Sequence, residues 1–229
     1  VLVIEGTCAL LGNIIFGNAG QAIDLAGEGT TPNDSGDFDS GANAQQNFPA
    51  ITSAKYGLSG ISLMGLLHSA PDTAYRLEFF AGPACGQALV FLGAVDAVTD
   101  PFGDAAFSPT LPSGNLAGWW VMATATDPWG NTSELSPCAA VTVPPWVVMQ
   151  PESATVLEGQ PVTFSVAAGG APPLYYQWMR NGVAVPGANS ETFILPAATL
   201  AHAGTYTVTI TNHDGITVSA AATLTVLAP

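Results

Sequence analysis

Positive charge is nearly absent from this chain. Lys55, Arg76 and Arg180 are its only basic side chains, set against seventeen carboxylates, for a net charge of −14. So basic-poor a surface disfavours nucleic acid and anionic membranes as partners, since both are held chiefly by Lys and Arg. Charge of either sign is scarce, at 9% of residues, while mean hydropathy is +0.36. Thr, Ser, Gly, Asn and Ala must therefore build the surface, with some exposed apolar groups. Soluble monomers usually carry more charge. Two readings stand: an Ala-rich lineage with Thr and Ser in place of Lys and Glu, or a subunit that hides surface in an assembly.

Other absences narrow the class. No run of eighteen apolar residues occurs, so membrane insertion is not expected. Helical periodicity is missing from any window longer than about ten residues, which leaves an all-β chain. There is no initiator Met and no basic stretch leading into an apolar one. A removed signal peptide or a fragment boundary is the expectation for Val1. Cysteine is rare. Cys85 sits in a turn and Cys138 follows Ser136-Pro137 at the end of a strand-like run, and the two read as a disulfide, which implies an oxidising, extracellular setting; two buried free thiols are the alternative. Cys8 is then left over, either buried as a small hydrophobe or pairing between subunits.

What is present is turn chemistry between short apolar runs. Val1 to Ile4, Ala9 to Leu11, Ile14 to Phe16 and Ala22 to Leu25 are separated by Gly/Asn turns and read as one turn of a solenoid. Such a turn cannot bury its apolar face alone, so Val1, Leu2, Val3 and Ile4 form a candidate assembly edge. Residues 1–45 make up this turn and an acidic loop. Residues 46–143 hold strand candidates at Ile51–Tyr56, Ser59–Leu67, Ala74–Phe80, Leu89–Val98, Ala105–Pro109, Gly118–Asp127 and Ser133–Val143, enough for a β-sandwich. After the stiff Val143-Pro144-Pro145 linker, residues 144–229 alternate again in seven short runs and form a second sandwich.

Two resemblances follow from particular residues. The runs Gly17-Asn18, Ile23-Asp24-Leu25, Thr31-Pro32-Asn33-Asp34-Ser35-Gly36-Asp37 and Gln46-Asn47-Phe48-Pro49 resemble the end of bacterial secreted right-handed parallel β-helix proteins. Arg76-Leu77-Glu78-Phe79-Phe80, Pro83-Ala84-Cys85, Ala123 to Asp127 and Gly130 to Glu134 continue that likeness through the sandwich. The long flank of the β-helix, where any activity of those proteins resides, has no counterpart here. Residues 146–229 resemble a bacterial I-set immunoglobulin-like domain, through Gln177-Trp178, Asn181-Gly182, Ala203-Gly204-Thr205-Tyr206 and Ala222 to Val226. That likeness implies a core tryptophan at Trp178 and a tyrosine corner at Tyr206. It also implies an aliphatic pair, Val166 and Val208, where antibody domains carry their inter-sheet disulfide.

Candidate chemistry is sparse. Asn33, Asp34, Asp37, Asp39 and Asn43 gather hard oxygen donors within a short loop, which suits calcium; an acidic turn capping its own backbone is the alternative. Arg76 and Glu78 share a strand face and read as a structural ion pair. His68, His202 and His213 stand apart from any nucleophile or ligand motif. Trp119 and Trp120 point to opposite strand faces, so at most one is core. Trp120 and the hairpin-tip Trp129 are candidate partner contacts, with glycans as a possible class of partner. The expected function is a non-enzymatic, secreted structural subunit that assembles head to tail into a filament through its N-terminal edge. An adhesive, carbohydrate-binding or spacer module of a larger protein is the second reading.

Overall fold

The computed structural model of the chain describes residues 1–17, 21–27, 29–37 and 40–229. Asn18, from the Gly17-Asn18 turn, and Asp39, from the acidic loop, lie outside the described residues. The chain divides into two compact units, Val1–Thr142 and Val143–Pro229. Both are all-β, with helix limited to the short 3-10 turns Ala42–Gln45 and Leu200–His202 among the described residues.

The first unit opens with β1 (Leu2–Val3) and β2 (Asp24–Leu25), which pair in parallel. Its sandwich has one sheet of β3 (Ala50–Gly57), β4 (Gly60–His68), β7 (Asp104–Phe107) and β8 (Thr110–Leu111). The other holds β5 (Ala74–Gly82), β6 (Val90–Val98), β9 (Trp120–Thr126) and β10 (Ala139–Ala140), in the order β10-β9-β5-β6. Alternation directs Ile61, Leu63 and Leu67 of β4 against Leu77 and Phe79 of β5 and Val121, Ala123 and Ala125 of β9, all fully or nearly fully buried. Phe79 and Phe107 meet across the sheets, ring centroids 5.4 Å apart. Position 65 on β4 must be glycine, because a Cβ there would stand 2.3 Å from the Phe107 ring.

On β5 the alternation stops. Glu78 and Phe80, on the outward face, are as buried as their neighbours. The N-terminal segment covers that face, with Gly12 donating its N–H to Glu78 and Ile15 bridging to Ala88. The expected strand Ser133–Val143 shrinks to β10 for a related reason. Ala125 and Ala123 donate N–H groups to the hydroxyls of Ser133 and Ser136, whose own N–H groups return to the carbonyls of the same two alanines. Side-chain oxygens thus complete the β9 ladder while Glu134, between the two serines, turns inward. Of the adjacent tryptophans, Trp119 is half-buried and Trp120 exposed.

The second unit is an immunoglobulin-like sandwich. Its strands are β11 (Trp146–Met149), β12 (Ala154–Leu157), β13 (Val162–Ser165), β14 (Ala167–Gly169), β15 (Tyr175–Arg180), β16 (Val183–Ala184), β17 (Thr192–Leu195), β18 (Gly204–Asn212), β19 (Gly215–Val218) and β20 (Ala222–Leu227). The large sheet runs β12-β20-β18-β15-β16 with β19 on β18, and β13 pairs with β17 opposite it. Trp178, Val166 and Val208 are buried at the centre with Phe164, Ile210 and Leu224. Tyr206 stacks on Phe164 at 4.8 Å, and its hydroxyl donates to the His202 carbonyl at 2.8 Å. The break between β19 and β20 falls at Ser219, whose hydroxyl accepts the Val208 N–H.

Candidate functional site: the N-terminal β-edge

Leu2 stands beside Asp24 and Val3 beside Leu25, so the paired strands keep a constant parallel offset of 22 residues. Parallel neighbours need a crossover of a dozen or more residues, which the chain between β1 and β2 supplies. Val3, Ile23, Leu25 and Ala42 form a small core, against which Cys8, Leu10 and Ile15 pack. Cys8 is a free thiol, half-buried in that cluster.

The opposite side of the turn is open. Val1, Leu2, Ile4, Leu11, Ile14 and Phe16 are all exposed, Ile4 to 66%. Val1 and Val3 turn their carbonyls toward β2, accepting the N–H groups of Asp24 and Ala26 at 2.9 and 2.8 Å. In a parallel ladder successive residues address opposite sides, so the N–H and C=O of Leu2 face the free edge. Exposed apolar side chains thus flank the edge of β1 that faces away from β2.

Three buried polar side chains fasten this turn to the sandwich. Glu134, 1% exposed, accepts the Leu25 and Thr31 N–H groups, both at 2.8 Å. Burial pushes its carboxyl above the ordinary range, partly offset by those two donors. Glu78 accepts the Gly12 N–H at 2.6 Å and the Arg76 Nε at 2.9 Å, so the ion pair is also a tether. Asn43 accepts the Cys8 N–H through Oδ1 and donates through Nδ2 to the carbonyls of Cys8 and Thr132. Its amide thus pairs with Cys8 as a peptide group in a strand does. These contacts help hold positive φ at Asn43, Ala44 and Gln45 (48°, 49° and 48°), a conformation that L-residues adopt at a cost.

The same device recurs through the acidic loop. Asn33 exchanges two hydrogen bonds with the backbone of Phe48, and Asn47 two with that of Asp34. Asp37 accepts the Asn47 N–H at 3.0 Å and is bonded by the side chains of Gln46 and Ser69. Burial raises its carboxyl above the ordinary range, with those donors opposing. Of the residues expected to bind calcium, Asn33, Asp37 and Asn43 already accept N–H or O–H groups on their side-chain oxygens, whereas the Asp34 carboxylate receives only Asn47 Nδ2 at 3.4 Å. Among the described residues, no group of three or more His, Cys, Asp or Glu side chains converges on one point.

Cys85 and Cys138 are joined, with Cα atoms 5.6 Å apart. Trp120 is 37% exposed, whereas Trp129 is 71% exposed at the tip after β9. His68 pairs with Asp104 at 2.7 Å on the surface, and His202 takes part in capping the Leu200–His202 turn. Sequence reasoning passed over Glu134 and Asn47, whose partners are remote in the chain. The one available signal was the rarity of carboxylates inside otherwise apolar and hydroxyl-bearing runs.

Among the described residues, no helix is long and apolar enough to cross a membrane. Residues 144–212 match the family model described as Immunoglobulin domain, so the second unit is an immunoglobulin-like domain. A chimeric titin Z1Z2 structure carrying a decorin peptide is 32% identical, covering 38% of this chain and 96% of that one, with a TM-score of 0.34. The complex of titin M10 with an obscurin-like 1 immunoglobulin domain gives 27% identity over 38% and 97% of the two chains, with a TM-score of 0.35. A decoration protein of Escherichia phage T5 is 41% identical over 61 residues, 26% of this chain. The match spans 37% of that protein's length.

Proposed function

We propose that this chain is a non-enzymatic, extracellular structural module whose N-terminal β-edge is its assembly surface. The parallel β1–β2 pair carries this reading, with Val3 and Leu25 packed inward and Leu2 and Ile4 left bare outside. Uncovered apolar strand edges act as templates for added strands. A second copy that seats on this edge through a different surface makes a head-to-tail contact that does not close, and the product is a filament. The immunoglobulin-like unit and the partial likeness to a phage decoration protein favour a structural over a catalytic role. The Cys85–Cys138 bridge favours an oxidising compartment.

The constant 22-residue offset supports a second reading. Solenoid turns normally stack on further turns, so the edge would carry another turn of a longer β-helix protein, with the two sandwiches as its spacer or adhesive modules. Electron microscopy and light scattering over a range of concentrations separate the two. Filaments that vanish in a Leu2→Lys/Ile4→Lys variant support self-assembly. Monodisperse particles at every concentration sink the filament and leave the edge to a solenoid turn.

A further inference from the structure

Two loop tips of the first unit are built alike. Asp100-Pro101-Phe102-Gly103-Asp104 and Asp127-Pro128-Trp129-Gly130-Asn131 share one hydrogen-bond pattern. In each, the leading Asp Oδ1 accepts the N–H groups two and four residues on: Phe102 and Asp104 at 2.8 and 2.9 Å, Trp129 and Asn131 at 2.9 and 2.8 Å. In each, the glycine has positive φ (86° and 89°) and donates to the leading Asp carbonyl. This design explains the Asp, the Pro and the Gly. It does not call for an aromatic ring, yet both tips carry one, with Phe102 79% and Trp129 71% exposed.

The tips also share one end of the sandwich. Val98 at the close of β6 pairs with Ala74, and Thr126 at the close of β9 pairs with Arg76. The two loops therefore leave the sheet on either side of the start of β5, roughly 10 Å apart at two strand spacings. The Ser69 N–H donates to the Gly103 carbonyl of one tip, and its hydroxyl is hydrogen-bonded to that of Tyr75 of β5, whose phenol feels the charge of Asp127 in the other tip. Asp72 joins the first tip, its N–H donating to the Asp100 carbonyl. Against this run of carboxylates the unit has few cations. Arg76 is taken by Glu78, and Lys55 pairs with Ser62 toward the far end of β4.

The geometry points to these paired tips as a docking surface for a Lys- or Arg-bearing protein segment. A cation above an exposed indole or phenyl ring is attracted by the ring face, and the attraction gains from flanking negative charge. Asp72, Asp100 and Asp127 supply that charge, as does Asp104, which also bonds His68 at 2.7 Å, while the Asx hydrogen bonds fix the backbone of both tips before any partner arrives.

The test is anisotropy of a dye-labelled alternating Arg-Gly peptide, titrated with the whole chain at low and moderate salt. Saturable, salt-sensitive binding is expected, weakened at least tenfold by Phe102→Ser/Trp129→Ser and several-fold by Asp72→Asn, with melting temperatures unchanged. Phe102→Tyr/Trp129→Phe is expected to keep most of the affinity. Equal binding by the serine variant would mean diffuse charge alone and overturn the proposal. So would no binding at low salt, or a neutral glucan oligosaccharide binding through the same two rings.

Discussion

The Glu134 carboxylate accepts the Leu25 N–H at 2.8 Å, joining residues 109 apart in the chain. Its second oxygen takes the Thr31 N–H, so one side chain satisfies two donors of the N-terminal turn that lack a strand partner. Removing it strands both groups. Glu134→Ala is expected to destabilise the first unit by about 2–4 kcal/mol, at the usual cost of unmet buried donors. Glu134→Gln keeps an acceptor oxygen and is expected to lose much less. Urea unfolding followed by Trp fluorescence measures both.

The pH dependence has a definite sign. Burial raises the carboxyls of Glu134 and Asp37 above their ordinary values, so the folded chain binds their protons more tightly than the unfolded one. Their contribution is fully present below the unfolded values, at about pH 4, and is lost as pH rises through the folded ones. Melting temperature is therefore expected to rise as pH falls from 7 toward 5. The slope should flatten in Glu134→Gln/Asp37→Asn. A wild-type slope that the double variant leaves untouched would place the titration elsewhere.

The second unit was the easier half to read. Its alternating runs and the residues around Trp178 and Tyr206 mark a sandwich whose core lies in local periodicity, and the structure buries Val166 and Val208 together there. The first unit hides its logic in side chains that stand in for backbone. Asn33, Asn43 and Asn47 pair with Phe48, Cys8 and Asp34, and Ser133 and Ser136 complete β9. Nothing in a hydrophobic pattern signals such pairs, because their partners lie 13 to 35 residues away or across a sheet. The break in alternation at Glu78 has the same origin, since the segment covering it is distant in sequence.

In the immunoglobulin-like unit, the Tyr206 hydroxyl and the Trp178 ring do different work. Tyr206→Phe removes one hydrogen bond to His202 and keeps the ring on Phe164, so a loss of about 1 kcal/mol is expected. Trp178→Ala opens a cavity among Phe164, Phe193 and Val208, with an expected cost of about 3–5 kcal/mol. Denaturant midpoints of the two variants should differ accordingly.

The acidic loop offers the last test. Calcium holds a loop together where carboxylates and carbonyls would otherwise repel around an empty centre. Here the Asp37 oxygens already receive Asn47, Gln46 and Ser69, and the Asn33 amide is spent on Phe48. A cation entering among them must displace those donors and gains little over what it breaks. A chelator is therefore expected to leave the melting temperature unchanged within about 1 °C, and millimolar calcium to raise it no further. Asp37→Ala, in contrast, leaves the Asn47 N–H without its acceptor and removes one partner each from Gln46 and Ser69, which keep others, and is expected to cost about 1–3 kcal/mol with or without calcium. Stabilisation by calcium that disappears in Asp37→Ala would instead assign the ion to this loop.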